Sequence, residues 1–89
     1  MARYHIRSAH TTEDCLGTLD QFVAQVPNDL PRWDFGCAAG DHSNHVAYAV
    51  VDAPSEAAAR ESLPAGIRGQ AQVTEVGKFT AAQVRSFHQ

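Results

Sequence analysis

The chain has no Cys-x-x-Cys pair, no glycine-rich phosphate loop, no run of like charge and no apolar stretch long enough to span a bilayer. Each absence closes off a class of function. Two cysteines without close spacing rule out a zinc ribbon and a thioredoxin-type motif. Gly36, Gly40, Gly66 and Gly69 fit neither nucleotide fingerprint. Lys and Arg number 7 against 10 Asp and Glu, a net charge of −3. That balance argues against nucleic acid or an anionic membrane as partner, since both attract basic surfaces. The opening Met1-Ala2-Arg3-Tyr4-His5-Ile6-Arg7 lacks the apolar core of a signal peptide, so the expectation is a cytoplasmic protein with free thiols.

What is present is globular composition, 44% apolar over 89 residues, enough for a single domain spanning 1–89. A chain this short has a thin core, so association into a homodimer would help it. Residues 2–9 alternate, with Tyr4 and Ile6 opposite Arg3, His5 and Arg7, which predicts a half-buried strand. Thr11, Thr12 and the acidic pair Glu13-Asp14 suit a helix start. Cys15, Leu16, Leu19, Phe22, Val23 and Val26 then recur at helical spacing until Pro27-Asn28-Asp29. Residues 33–39 read as a second strand with Trp33, Phe35 and Cys37 on one face, and residues 40–44 as a hairpin loop. Residues 46–52 are a third strand, Tyr48 and Val50 opposite Ala47, Ala49 and Val51. Ser55 caps a short second helix that closes at Leu63-Pro64. Residues 70–79 form a polar edge strand, and a short helix capped by Thr80 ends the chain.

Strand, helix, strand, strand, helix, strand is the ferredoxin-like βαββαβ order of an α+β protein. It predicts a four-stranded antiparallel sheet with two helices on one face. The uncovered face would carry Ala47, Ala49, Val51, Gly36 and Ala38 beside His5 and Arg7, an apolar surface suited to a second copy. In this topology the end of the first strand, the start of the first helix and the hairpin after the second strand lie at one end of the sheet. His10, Cys15, Cys37, Asp41, His42 and His45 belong to those segments. Imidazole, thiolate and carboxylate are the groups that hold transition metals and move protons. Each residue also has an ordinary reading. Cys15 and Cys37 lie on apolar stripes, His10, His42 and His45 are polar loop residues, and Asp41 follows a turn glycine. Their predicted convergence is what singles them out.

The segment from Ala39-Gly40-Asp41-His42 through Tyr48-Ala49-Val50-Val51-Asp52-Ala53-Pro54-Ser55-Glu56-Ala57 to Leu63-Pro64 resembles the middle of muconolactone isomerase. That family has a Gly-x-His hairpin, a strand ending in aspartate, and a Pro-Ser helix closing on Leu-Pro. The segment covers 26 of the chain's 89 residues. It implies a dimeric α+β barrel, a superfamily that also holds small oxygenases, cyclases, stress proteins and nickel binders. The pieces His10-Thr11-x-Glu13-Asp14-Cys15, Gly36-Cys37-x-x-Gly40-Asp41-His42 and Lys78-Phe79-Thr80 look more like small prokaryotic proteins of that fold with no assigned mechanism.

Two functions follow. In the first, His10, His42 and His45 supply nitrogen and Cys15 or Cys37 sulfur to a transition metal (Zn, Ni or Cu), with Asp41 orienting a ring. In the second, a small enzyme acts on an organic acid or lactone without metal. His10 or His42 is then the general acid or base, in a pocket lined by Trp33, Phe35, Tyr48 and Phe79. An adaptor without chemistry is the third reading.

Overall fold

In a computed structural model the protein is described over residues 1–40 and 44–88. It is an α+β structure built on an open four-stranded antiparallel sheet. The strands are β1 (Ala2–Ala9), β2 (Asp34–Phe35), β3 (Val46–Ala53) and β4 (Gln72–Val76), in the order β2-β3-β1-β4. The helices are α1 (Cys15–Gln25), α2 (Glu56–Arg60) and α3 (Ala81–Ser86). Among the described residues no helix is long and apolar enough to cross a membrane.

The first strand follows its alternation: Tyr4, Ile6 and Ser8 are buried and the residues between them exposed. It pairs with β3 along its whole length, from Ala2 opposite Ala53 to Ala9 opposite Val46. On its other side β4 pairs with it from Arg3 opposite Val76 to Arg7 opposite Gln72, so β4 is the expected edge. Ser55 caps α2 through its hydroxyl, which accepts from Ala58 N–H at 3.1 Å. Thr80 and Gln83 form a reciprocal capping box at the start of α3. Arg60 donates to the carbonyls of Arg68 and Ala71, and Arg68 to that of Leu63, which ties the connection between α2 and β4 to the helix.

Two expectations are corrected. The second strand is predicted over 33–39 but spans only Asp34–Phe35, and Gly36–Ala39 curls into a 3-10 turn. Glycine and alanine hold a strand weakly. Here the curl brings the Asn44 side chain against Gly36, where a Cβ would lie 2.5 Å from Asn44 Cγ. Cys37 therefore does not alternate with Trp33 and Phe35.

The faces of β3 are also exchanged. Ala47, Ala49 and Val51 are buried against the helices, while Val50 is exposed. The register explains this, because His5 faces Val50 and Arg7 faces Tyr48 across the ladder. Small residues on β3 leave room for Phe22 of α1 and Leu63, both fully buried in the same cluster as Tyr4, Ile6 and Trp33. The open face accordingly carries Arg3, His5, Arg7, Tyr48 and Val50, with an Arg3–Asp52 ion pair at 3.1 Å. It is a mixed polar surface and not the predicted stripe of alanines.

Phe22 anchors this core, its ring edge-to-face with Trp33 and Phe35 at 5.4 Å each. Phe22→Ala is expected to cost about 3–5 kcal/mol, because the aromatic body leaves a cavity beneath a thin sheet. A typical domain has only about 5–15 kcal/mol in total, so urea unfolding should show a large drop in midpoint at an unchanged slope.

Candidate metal centre

One end of the sheet gathers four chain segments. His10 follows the last residue of β1, and its backbone N–H donates to the His45 carbonyl at 2.9 Å, adding one rung beyond Ala9 and Val46. This bond fixes the end of β1 beside the start of β3. Residues 11–14 then turn back, with Asp14 N–H shared between the carbonyl and hydroxyl of Thr11. The turn delivers Cys15 as the first residue of α1. The 3-10 turn after β2 presents Cys37 from the other side.

One ligand atom from each of His10, Cys15, Cys37 and His45 lies within 4.8 Å of the other three. The two sulfurs are 3.8 Å apart and both thiols are free. A tetrahedron with metal–sulfur bonds of about 2.3 Å has a sulfur–sulfur edge of about 3.8 Å. The thiols thus already stand at the spacing that a shared zinc requires, and a pair involving an imidazole at the 4.8 Å limit needs to close by about 1.2–1.5 Å to match such a tetrahedron. The His10 and His45 rings meet edge-to-face, centroids 5.2 Å apart.

The imidazoles are also unsatisfied. His10 Nε2 and both ring nitrogens of His45 are buried and have no hydrogen-bond partner among the described residues. Buried polar atoms are nearly always paired, and each one left unpaired costs on the order of 1–3 kcal/mol. A cation that accepts one lone pair from each ring relieves part of that cost.

The electrostatics suit metal ligation. Burial, then the neighbouring His45, lowers the His10 pKa from its ordinary 6.5, with Asp14 pulling weakly the other way. His10 is therefore neutral, the ligating form, at neutral pH. The Cys15 thiol is pushed above its ordinary 9.0 by partial burial first, then by its hydrogen bond to Cys37 and the charge that Cys37 would carry. In the metal-free state it keeps its proton, and a metal must displace it.

The lowered His10 pKa makes the metal-free protein acid-sensitive. The unfolded chain takes up a proton near pH 6.5 and the folded chain only below that, so the contribution is complete above 6.5. It is lost as pH falls through the lowered folded value. Urea midpoints measured from pH 7.5 down to 5 should fall, and His10→Gln should flatten the part of that slope nearest 6.5.

Four of the five residues that the sequence nominates for a metal thus meet: His10, Cys15, Cys37 and His45. The fifth, His42, lies outside the described residues, as does Asp41. His5 stands on the open sheet face, its ring 6.5 Å from Tyr48. Glu13 and Asp14 are exposed, and of the two only Asp14 acts on His10. The Gly36–Asn44 contact, which packs the residue before His45 onto the turn that carries Cys37, has no motif; the small residue opposite it is the one sequence signal.

The aromatic residues proposed to line an organic pocket do not share a wall. Trp33 and Phe35 pack on Phe22, Tyr48 is on the opposite face, and Phe79 is 73% exposed and meets Phe87 edge-to-face. One surface cleft, about 490 Å³, is lined by Met1, Arg3, Asp52, Glu75 and Lys78, and another, about 270 Å³, by Asp29, Arg32 and Glu61 among others. Neither is lined by a histidine. No protein-family profile, no curated protein and no solved structure matches this chain.

Proposed function

We propose that this is a zinc-binding protein whose ion is held by His10, Cys15, Cys37 and His45. The observation that carries the reading is the coincidence of two thiols at 3.8 Å with buried imidazole nitrogens that lack partners. Mixed nitrogen and sulfur donors favour zinc, copper or nickel over magnesium or calcium. Zinc is preferred because two sulfurs and two imidazoles around one point suit a tetrahedral ion, whereas divalent copper and nickel favour square-planar or tetragonal sites. Four protein ligands fill a tetrahedron, the pattern of a site that holds metal rather than one that keeps a position open for substrate. The ion joins the β1–α1 junction to the turn after β2 and the start of β3.

The same reading takes the protein to be one ferredoxin-like domain over 1–89, cytoplasmic and homodimeric, of the muconolactone isomerase-like superfamily. The strand order β2-β3-β1-β4 with antiparallel neighbours supports the ferredoxin-like part. The acid–base alternative has less support, since His10 faces Cys15, Cys37 and His45 and lines neither cleft.

The test is a zinc titration of metal-free protein in competition with a chromogenic chelator. One ion per chain is expected. Affinity should rise with pH by about tenfold per unit for each proton displaced, because the Cys15 thiol is protonated beforehand. Stoichiometric uptake that ignores pH between 6 and 8 would count against thiolate ligation. Tighter binding of copper or nickel at matched availability would reassign the metal and leave the site in place.

A further inference from the structure

We propose that Cys15 and Cys37 are a peroxide-operated release for this metal: oxidation joins them in a disulfide and expels the ion. The release and the thiolate form of Cys15 rest on the zinc reading above; the close approach of the two sulfurs does not.

The chain has two cysteines, so each thiol has one intramolecular partner, and the structure sets them 3.8 Å apart. A disulfide needs about 2.05 Å, so the sulfurs must close by a little under 2 Å. Neither lies within a strand or in the body of an α-helix. Cys15 opens α1 after an N-cap residue, Asp14, whose side chain makes no capping hydrogen bond. Cys37 sits in a four-residue turn between Gly36 and the left-handed Gly40 (φ 92°). Both side chains are partly exposed, so a small oxidant reaches them.

The chemistry balances with hydrogen peroxide as the named oxidant. One thiolate attacks a peroxide oxygen; the O–O bond breaks, the sulfur becomes a sulfenic acid and hydroxide leaves as water after taking a solvent proton. The second thiolate attacks that sulfur. The S–S bond forms and the sulfenic oxygen leaves as a second water with a second solvent proton. Two electrons pass from the two sulfurs to the peroxide. The zinc ion, left with two imidazoles and no thiolate, departs as the divalent cation. The disulfide ties together two of the four segments that the metal tied, the start of α1 and the turn after β2, 22 positions apart.

The experiment treats zinc-loaded protein with one equivalent of hydrogen peroxide. It follows free thiols, intact mass under non-reducing conditions and zinc captured by a chromogenic chelator. The expected result is loss of both thiols, a mass lower by two hydrogens in a single chain, and one zinc released per disulfide. Dithiothreitol should restore thiols and zinc uptake together. Cys15→Ser should lose this product and yield instead oxygen addition at Cys37 or chains cross-linked through it. Zinc that binds tightly yet stays bound while both thiols resist peroxide would overturn the release mechanism and leave the metal site standing. So would oxidation of one sulfur to the sulfinic acid in the wild type. Failure of the metal-free protein to take up zinc at all would overturn both, and it shows before any peroxide is added.

Discussion

Zinc should raise the thermal unfolding midpoint of the metal-free protein by roughly 15–30 °C when free metal stands about a thousandfold above its dissociation constant. An ion that binds only the folded chain at that excess contributes about 4 kcal/mol, and each kcal/mol moves a domain of this size by about 4–8 °C. The effect is large because the ligands come from separate segments: the end of β1, the start of α1, the turn after β2 and the start of β3. The unfolded chain does not hold these at mutual distances below 5 Å, as the folded chain does. The core offers little to compete with the ion, being built on β3 from Ala47, Ala49, Val51 and Ala53. Differential scanning fluorimetry with and without zinc checks this, with magnesium as the control that should do nothing. A shift below a few degrees at saturating zinc would mean that the ion binds folded and unfolded chains alike.

The second large effect concerns the sulfurs. Cys37→Ser keeps the size of the side chain and removes a soft ligand, and zinc affinity should fall by more than about 100-fold. That exceeds the 10–100-fold typical of losing a partner outside the ligand shell. Cys15→Ser should do the same. His45→Ala should also weaken binding, although the backbone bond from His10 N–H to the His45 carbonyl remains available to hold the strand end. Phe22→Ala, if it folds, should retain zinc affinity within about tenfold, since its ring packs on Trp33 and Phe35 and holds no ligand. The contrast between Cys37→Ser, which unloads metal with a folded core, and Phe22→Ala, which weakens the core with intact ligands, separates a site from mere stability. Chelator competition at pH 7.5 supplies both numbers.

Much of the layout was legible because it rests on local chemistry. The alternation of Tyr4 and Ile6 against their charged neighbours defines β1, and Ser55 and Thr80 cap the helices where a hydroxyl at that position should. The meeting of His10 and His45 was legible for a topological reason. A helix returns the chain between the first two strands, so the turn after β2 comes back to the end of β1. What was not legible is set by long-range packing. Period-two patterning says that Ala47 and Ala49 share a face but not which face meets the helices. Judged alone, alanines read as the weaker core, and only the bulk of Phe22, Trp33 and Leu63 arriving from elsewhere makes them the inner side. The curl at Gly36–Ala39 comes with Asn44 packed onto a bare glycine, a contact between residues that are not neighbours in any periodic pattern. The three-residue distance to Gly40 puts Cys37 near the hairpin end of the sheet. Its sulfur reaches Cys15 because the strand stops early, which alternation did not foretell.

X-ray absorption at the zinc edge of the loaded protein addresses the ligand set most directly. The expected spectrum has two sulfur scatterers at about 2.3 Å and two imidazole nitrogens at about 2.0–2.1 Å around a four-coordinate ion. A shell of nitrogen and oxygen alone, without sulfur, would contradict ligation by Cys15 and Cys37, and with it the account of what this end of the sheet is for.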